Sequence, residues 1–122
     1  MKKVLVIDDV EGVRRSIQVG LASAGYEVVT AGTYAEGLGL ATTGVFDVIL
    51  CDLKLPDKSG VDIIRSLKET GVVTPIVAIS GFIDGAVVRE AENSGAIAYL
   101  PKPFKKADLV SLLARLFAPG EK

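Results

Sequence analysis

The sequence predicts a doubly wound α/β domain, a parallel sheet of five strands between two layers of helices. Three observations carry this. Short apolar runs alternate five times with amphipathic stretches. Three of the runs show no polar alternation, as central strands covered on both faces require. No linker, repeat or low-complexity segment interrupts the alternation over 122 residues. That length suits a single domain with its own core, taken as residues 1–118 with a frayed tail over 119–122.

Each element has its own signal. The first run, Val4-Leu5-Val6-Ile7, is apolar throughout. Val10, Val13, Ile17, Leu21 and Ala24 follow at spacings of three or four, one face of a helix, and Gly25 stops it. The run Glu27-Val28-Val29-Thr30 is the most polar and suits an edge strand. Thr33 and Glu36 have capping-box spacing for a second helix reaching Thr43. Gly37, Gly39 and Gly44 stand there among few large apolar residues, so this helix is expected to be loosely held. Val45 to Leu50 reads as the third strand, and Ser59 with Asp62 repeats the capping spacing for the third helix. Pro75 to Ile79 reads as the fourth strand; Asp84 is placed to cap the fourth helix and Gly95 to end it. Ala96 to Leu100 completes the strands, and Leu109, Leu112, Leu113 and Leu116 form the stripe of the last helix.

Composition narrows the function. Fourteen Lys and Arg against fifteen Asp and Glu leave a net charge of −1, with no bulk attraction to nucleic acid or to an anionic membrane. No apolar stretch approaches the roughly 20 residues of a membrane span, and Met1-Lys2-Lys3 runs into a strand rather than a signal peptide. Cys51 is the only cysteine, which excludes an internal disulfide framework and suits a reducing, cytoplasmic setting. There is no histidine, so histidine catalysis and a phosphohistidine carrier role are both excluded.

In a doubly wound sheet, ligands bind outside the carboxyl ends of the strands. The first run ends in Asp8-Asp9, the third in Cys51-Asp52, the fourth in Ser80-Gly81, and the fifth in Pro101-Lys102-Pro103. Taken singly, Asp9 could be a helix cap, Ser80 a turn residue and Lys102 a solvated charge. Together they are harder to dismiss. Two unit charges about 5 Å apart repel by on the order of 3 kcal/mol at an effective dielectric near 20. Clustered carboxylates therefore call for a compensating cation, and a set without His or Cys suits Mg²⁺ or Mn²⁺ rather than zinc.

These residues lie within the stretches VLVIDD, DVILCDLKLPDKSG, PIVAISG and AYLPKPF. In them the chain resembles, over nearly its whole length, the receiver domain of two-component response regulators, the flavodoxin-like, CheY-like fold with strand order 2-1-3-4-5. The resemblance implies that Asp52 is the phosphoacceptor, attacking a phosphoryl group carried on a histidine of a sensor kinase or phosphotransfer protein. It implies that Asp9, Asp52 and the backbone carbonyl of Lys54 bind Mg²⁺ directly, with Asp8 reaching it mainly through water. Ser80, Gly81 and Lys102 would hold the phosphoryl oxygens. Tyr99 matches the aromatic residue that changes rotamer when Ser80 moves, and the Lys102–Pro103 bond is expected to be cis. The changed surface would be the fourth helix, fifth strand and fifth helix, presented to a downstream protein. Such a domain catalyses only its own phosphorylation and dephosphorylation.

The physics agrees with those roles. Phosphoryl transfer asks mainly for a positioned nucleophile and neutralised charge. A carboxylate is nucleophilic at neutral pH without a histidine base. Cys51 should point away from Asp52 and serve as a small buried hydrophobe. Asp57 reads as a turn residue and not a metal ligand, and Arg14 and Arg15 as a solvated helix face. A bulky Phe82 beside the site would shield it and slow hydrolysis. Two alternatives have weaker support. A small-molecule phosphohydrolase would need an acidic residue where Lys54 stands, and a nucleotide- or flavin-binding domain would need a Gly-rich loop after the first strand. No output domain follows residue 117, so the chain is expected to be a stand-alone receiver or one cut from a longer regulator or hybrid kinase; Met1 argues against a long N-terminal extension.

Overall fold

A computed structural model describes residues 1–58, 60–81 and 85–118. Strands and helices alternate as expected: β1 (Lys3–Ile7), α1 (Glu11–Ser23), β2 (Glu27–Ala31), α2 (Tyr34–Thr43), β3 (Val48–Asp52), α3 (Asp62–Glu69), β4 (Ile76–Ser80), α4 (Gly85–Asn93), β5 (Ala96–Pro101) and α5 (Lys106–Leu116). The strands form one sheet in the order β2-β1-β3-β4-β5, every neighbouring pair parallel. β1, β3 and β4 occupy the centre, and the polar run became the edge strand β2. Among the described residues, no helix is long and apolar enough to cross a membrane.

Side chains alternate across the sheet and divide the core in two. Leu5, Ile7, Ile49, Cys51, Ile76 and Ala78 face the layer of α2, α3 and α4. Val4, Val6, Leu50, Val77 and Ile79 face α1 and α5, where Ile17, Leu21, Leu109, Leu112 and Leu113 close the second core. Apolar area buried on both faces, at about 25 cal/mol per Å², is what holds the central strands in place.

Several boundaries differ from those expected. β3 begins at Val48, not Val45, and Val45 is 86% exposed. The chain turns at Asp47, whose carboxylate accepts the Lys3 N–H at 2.7 Å while its own N–H donates to the Lys3 carbonyl at 2.8 Å. That exchange sets the register with β1, and hydrophobicity upstream of it does not extend the strand. Pro75 likewise precedes β4, its carbonyl accepting the Ile49 N–H. Val10 is the half-exposed residue before α1 rather than part of its packed face. Ser59 and Asp84, expected to cap α3 and α4, lie outside the described residues; α3 starts after Val61 with no side-chain cap there. Gly25 and Gly95 do terminate their helices, with φ of +96° and +120°, where a side chain would be strained.

The expectation for α2 is half corrected. Thr33 Oγ1 accepts the Glu36 N–H at 3.1 Å, as a cap should. The Glu36 carboxylate, however, accepts from Gly32 at 2.9 Å rather than from Thr33. One of its glycines serves close packing. Gly37 is buried, and a Cβ there would run into the Ile7 side chain, so the missing side chain is what lets α2 lie directly on β1.

Candidate functional site

The parallel sheet brings the predicted residues to one edge. Asp8 follows β1, Asp52 ends β3, Ser80 ends β4, and Lys102 follows β5. Asp8, Asp52 and Ser80 are the buried polar residues of the described chain, 1%, 5% and 2% exposed, whereas Asp9 and Gly81 lie open to solvent. Carboxylate oxygens of Asp8, Asp9 and Asp52 lie within 4.8 Å of one another. The sequence expectation of convergence is met.

Lys102 stands in the middle of this cluster. Its Nζ donates to Asp8 Oδ2 at 2.8 Å and to Asp52 Oδ2 at 2.9 Å. Its backbone N–H donates to the Ser80 carbonyl at 2.8 Å, tying the loop to β4, and the Lys102–Pro103 bond is cis as expected. The remaining oxygens are held by backbone. Asp8 Oδ1 accepts the Val10 N–H at 2.9 Å, and Asp52 Oδ1 accepts the Lys54 N–H at 3.1 Å. Both carboxylates are thereby fixed in orientation.

Burial pushes the Asp52 carboxyl above its ordinary value of 3.8, and the hydrogen bond and charge of Lys102 pull it only part of the way back. Burial also opposes the Lys102 ammonium. The hydrogen bonds from Asp52 and Asp8 outweigh it and leave the lysine above its ordinary 10.5. The Cys51 thiol is pushed far up by burial, with the Asp52 and Asp8 charges adding to it, and it remains a thiol packed in the core. It faces away from the site, as the strand alternation predicted.

Two residues do more than their spacing suggested. Arg14 is not simply solvated: its Nη1 donates to the Asp8 backbone carbonyl at 2.7 Å, bracing the acidic turn from α1. Arg15 fits its expectation, pairing with Glu11 on the exposed side. Asp57 is more than a turn residue: its carboxylate accepts the Tyr34 and Ala35 N–H groups at the start of α2. No local pattern pointed to that contact, because its partners lie 23 and 22 residues away. Tyr99 is partly buried against the α4-side core. Phe82 lies outside the described residues.

Three acidic donors without nitrogen or sulfur ligands suit a hard divalent ion such as Mg²⁺, and the residues present fit that group. A cavity of about 550 Å³ opens beside Lys102, lined by Gly12, Val13, Gly81, Pro103 and Phe104 among others. It gives a reacting partner room next to the cluster.

A doubly wound α/β domain with clustered carboxylates and a lysine at its strand ends is the class this structure defines. The sequence profile of the response regulator receiver domain matches residues 4–114, and the chain belongs to that family. It is 35% identical over 109 residues to the cell cycle transcriptional regulator CtrA of Caulobacter vibrioides, covering 89% of this chain and 47% of CtrA. It is 37% identical over 118 residues to the transcriptional regulatory protein KdpE of Mycobacterium tuberculosis, covering 97% of this chain and 50% of KdpE. The chain thus spans about half the length of these curated relatives. Among solved structures, Vibrio cholerae chemotaxis protein CheY4 superposes with a TM-score of 0.89 at 32% identity, over 96% of this chain and 99% of CheY4. The receiver domain of Francisella response regulator 1452 gives 0.90 at 28% identity, over 95% and 96% of the two chains. Membership in this family makes the chain a phosphorylation-dependent signalling domain of two-component systems.

Proposed function

We propose that the chain accepts a phosphoryl group from a histidine kinase or phosphotransfer protein onto Asp52, and that the acyl phosphate alters the surface of α4, β5 and α5 to regulate a partner protein. The observation that carries this is the Asp52 carboxylate at the end of β3, oriented by the Lys54 N–H and Lys102 within a cluster of acidic groups. An Asp52 oxygen forms the new O–P bond while the P–N bond to the donor histidine breaks, its electron pair staying on the imidazole. Hydrolysis of the acyl phosphate by water then releases inorganic phosphate and restores the carboxylate.

The other residues bind and orient. Lys102, already bonded to Asp52, stays in reach of an oxygen of the incoming group and offsets its charge. Ser80, at the end of β4, offers a hydroxyl, and Gly81, open to solvent, a backbone N–H. Mg²⁺, held by Asp9, Asp52 and the Lys54 carbonyl with Asp8 behind, would supply neutralisation of the phosphoryl oxygens. Ser80 drawn toward the phosphoryl group frees Tyr99 to change rotamer, which carries the change to the outer face of β5. The buried, unpaired thiol of Cys51 agrees with a cytoplasmic setting. It works either alone through protein contacts or as the receiver part of a longer regulator, and its net charge of −1 gives no bulk attraction to nucleic acid or an anionic membrane.

Incubation with acetyl phosphate and Mg²⁺, followed by intact mass measurement, tests the reading. Gain of one phosphoryl group, absent in Asp52→Ala, is expected. Turnover of acetyl phosphate without adduct would favour the small-molecule phosphohydrolase, and no reaction at all would sink the proposal.

A further inference from the structure

The loop between β3 and α3 carries the Lys54 carbonyl and is anchored both at its start and on α2. Its start is held by the Asp52 carboxylate on the Lys54 N–H. It closes on itself through Leu55 N–H to the Lys58 carbonyl at 3.0 Å and Gly60 N–H to the Leu53 carbonyl, with Gly60 at φ +79°. The outward anchor is Asp57, whose two carboxylate oxygens accept the Tyr34 and Ala35 N–H groups at 2.8 and 3.0 Å. Lys58 adds a cation over the Tyr34 ring, 5.4 Å from its centroid. Two separate contacts thus tie the loop to the first turn of α2.

That turn is itself tied to the acidic pair. Gly37 seats α2 against Ile7, the residue before Asp8-Asp9. A ring of contacts therefore runs from β1 through α2 to Asp57, and back along three residues to Lys54. Pro56 stiffens this short return, and Leu55 is buried within it. Sliding the loop outward would break two charge-assisted hydrogen bonds at once.

We infer that Asp57 is a positioning residue for the cation site: by gripping the start of α2 it holds the Lys54 carbonyl where an ion bound by Asp8, Asp9 and Asp52 can use it. The inference rests on the function proposed above. It also has a reciprocal consequence, because a contact that favours ion binding must itself be favoured by the ion. Cation binding should tighten the Tyr34 and Ala35 amide bonds, more than 20 residues away in sequence from Asp57.

Calorimetric titration of Mg²⁺ into the wild type, Asp57→Ala and Thr33→Ala tests this. Thr33→Ala removes the local cap of the same helix and leaves the loop untouched, so it measures what loosening α2 does by itself. Outer contacts of metal sites commonly control affinity by 10- to 100-fold, and Asp57→Ala is expected to weaken Mg²⁺ binding about tenfold. Thr33→Ala should lower the thermal midpoint comparably and leave the Mg²⁺ Kd within about twofold. Asp57→Asn, which keeps the side-chain shape and one acceptor, should fall between wild type and Asp57→Ala, and it serves if the alanine variant folds poorly. Amide exchange at Tyr34 and Ala35 in the wild type should slow when Mg²⁺ is added. Unchanged Mg²⁺ affinity in Asp57→Ala, equal weakening in Thr33→Ala, or unchanged amide exchange would each overturn the inference while leaving the proposed function standing. Wild-type protein that takes up no Mg²⁺ would overturn both.

Discussion

Asp52 is placed against its own comfort. Burial raises its carboxyl in the folded chain, and Lys102 offsets this only in part. A carboxyl raised by folding contributes stability that is fully present below its ordinary value of 3.8 and lost as pH rises through the folded value. At neutral pH the ionised nucleophile therefore weakens the fold that presents it, a trade of stability for function. In EDTA at pH 7, Asp52→Asn should raise the thermal midpoint by a few degrees, although it removes the phosphoacceptor. The gain should shrink as pH falls toward and below 3.8, where wild-type Asp52 is protonated in both states. Melting followed by circular dichroism across this range checks it, and a lower midpoint at pH 7 would mean that the pairing with Lys102 outweighs burial. Lys102 itself is raised despite its burial, so its contribution holds through neutral pH and is lost only above 10.5.

Among the elements, α2 shows most directly how packing overrides propensity. Glycine in a helix interior costs up to about 1 kcal/mol relative to alanine, and on that scale alone Gly37→Ala would stabilise the chain. The Ile7 side chain occupies the place a Cβ would take. Overpacking a tight core contact costs about 1–3 kcal/mol, more than the propensity gain. Gly37→Ala is therefore expected to destabilise, seen as a lower urea midpoint with unchanged slope. Gly39, with nothing within 4 Å of a Cβ, should instead tolerate alanine at no cost, and it serves as the internal control. The difference between the two glycines lies entirely in which face of α2 they occupy.

For the molecule as a whole, one consequence of the sheet order is that the acidic groups come from different strands. Asp8 and Asp9 follow β1 and Asp52 ends β3, so an ion bound among them bridges neighbouring strands and is bound by the folded chain only. Such binding adds RT ln(1 + [L]/Kd) to stability, roughly 2.7 kcal/mol at a hundredfold excess over Kd. Mg²⁺ should raise the thermal midpoint progressively with concentration, EDTA should reverse it, and Asp9→Asn should largely remove the effect. A midpoint indifferent to Mg²⁺ in the wild type would argue against the site.

The pattern of residues along the chain determined a good deal. Apolar runs such as Val4 to Ile7 mark central strands because only a strand covered on both faces can be apolar at every position. A parallel sheet then places every strand end on one edge, so Asp8, Asp9, Asp52, Ser80 and Lys102 were legible together once the alternation was recognised. Strand starts were less legible. Val45 and Phe46 look like strand yet precede it, because register is set by the exchange between Asp47 and Lys3, which lie 44 residues apart. Asp57 on the start of α2, Arg14 on the Asp8 carbonyl and the close seat of Gly37 were decided only by tertiary structure. Helix and strand periods are properties of the local backbone and repeat along the sequence. Which loop meets which helix depends on how the crossovers pack, and no spacing rule relates a carboxylate to amide groups in another crossover.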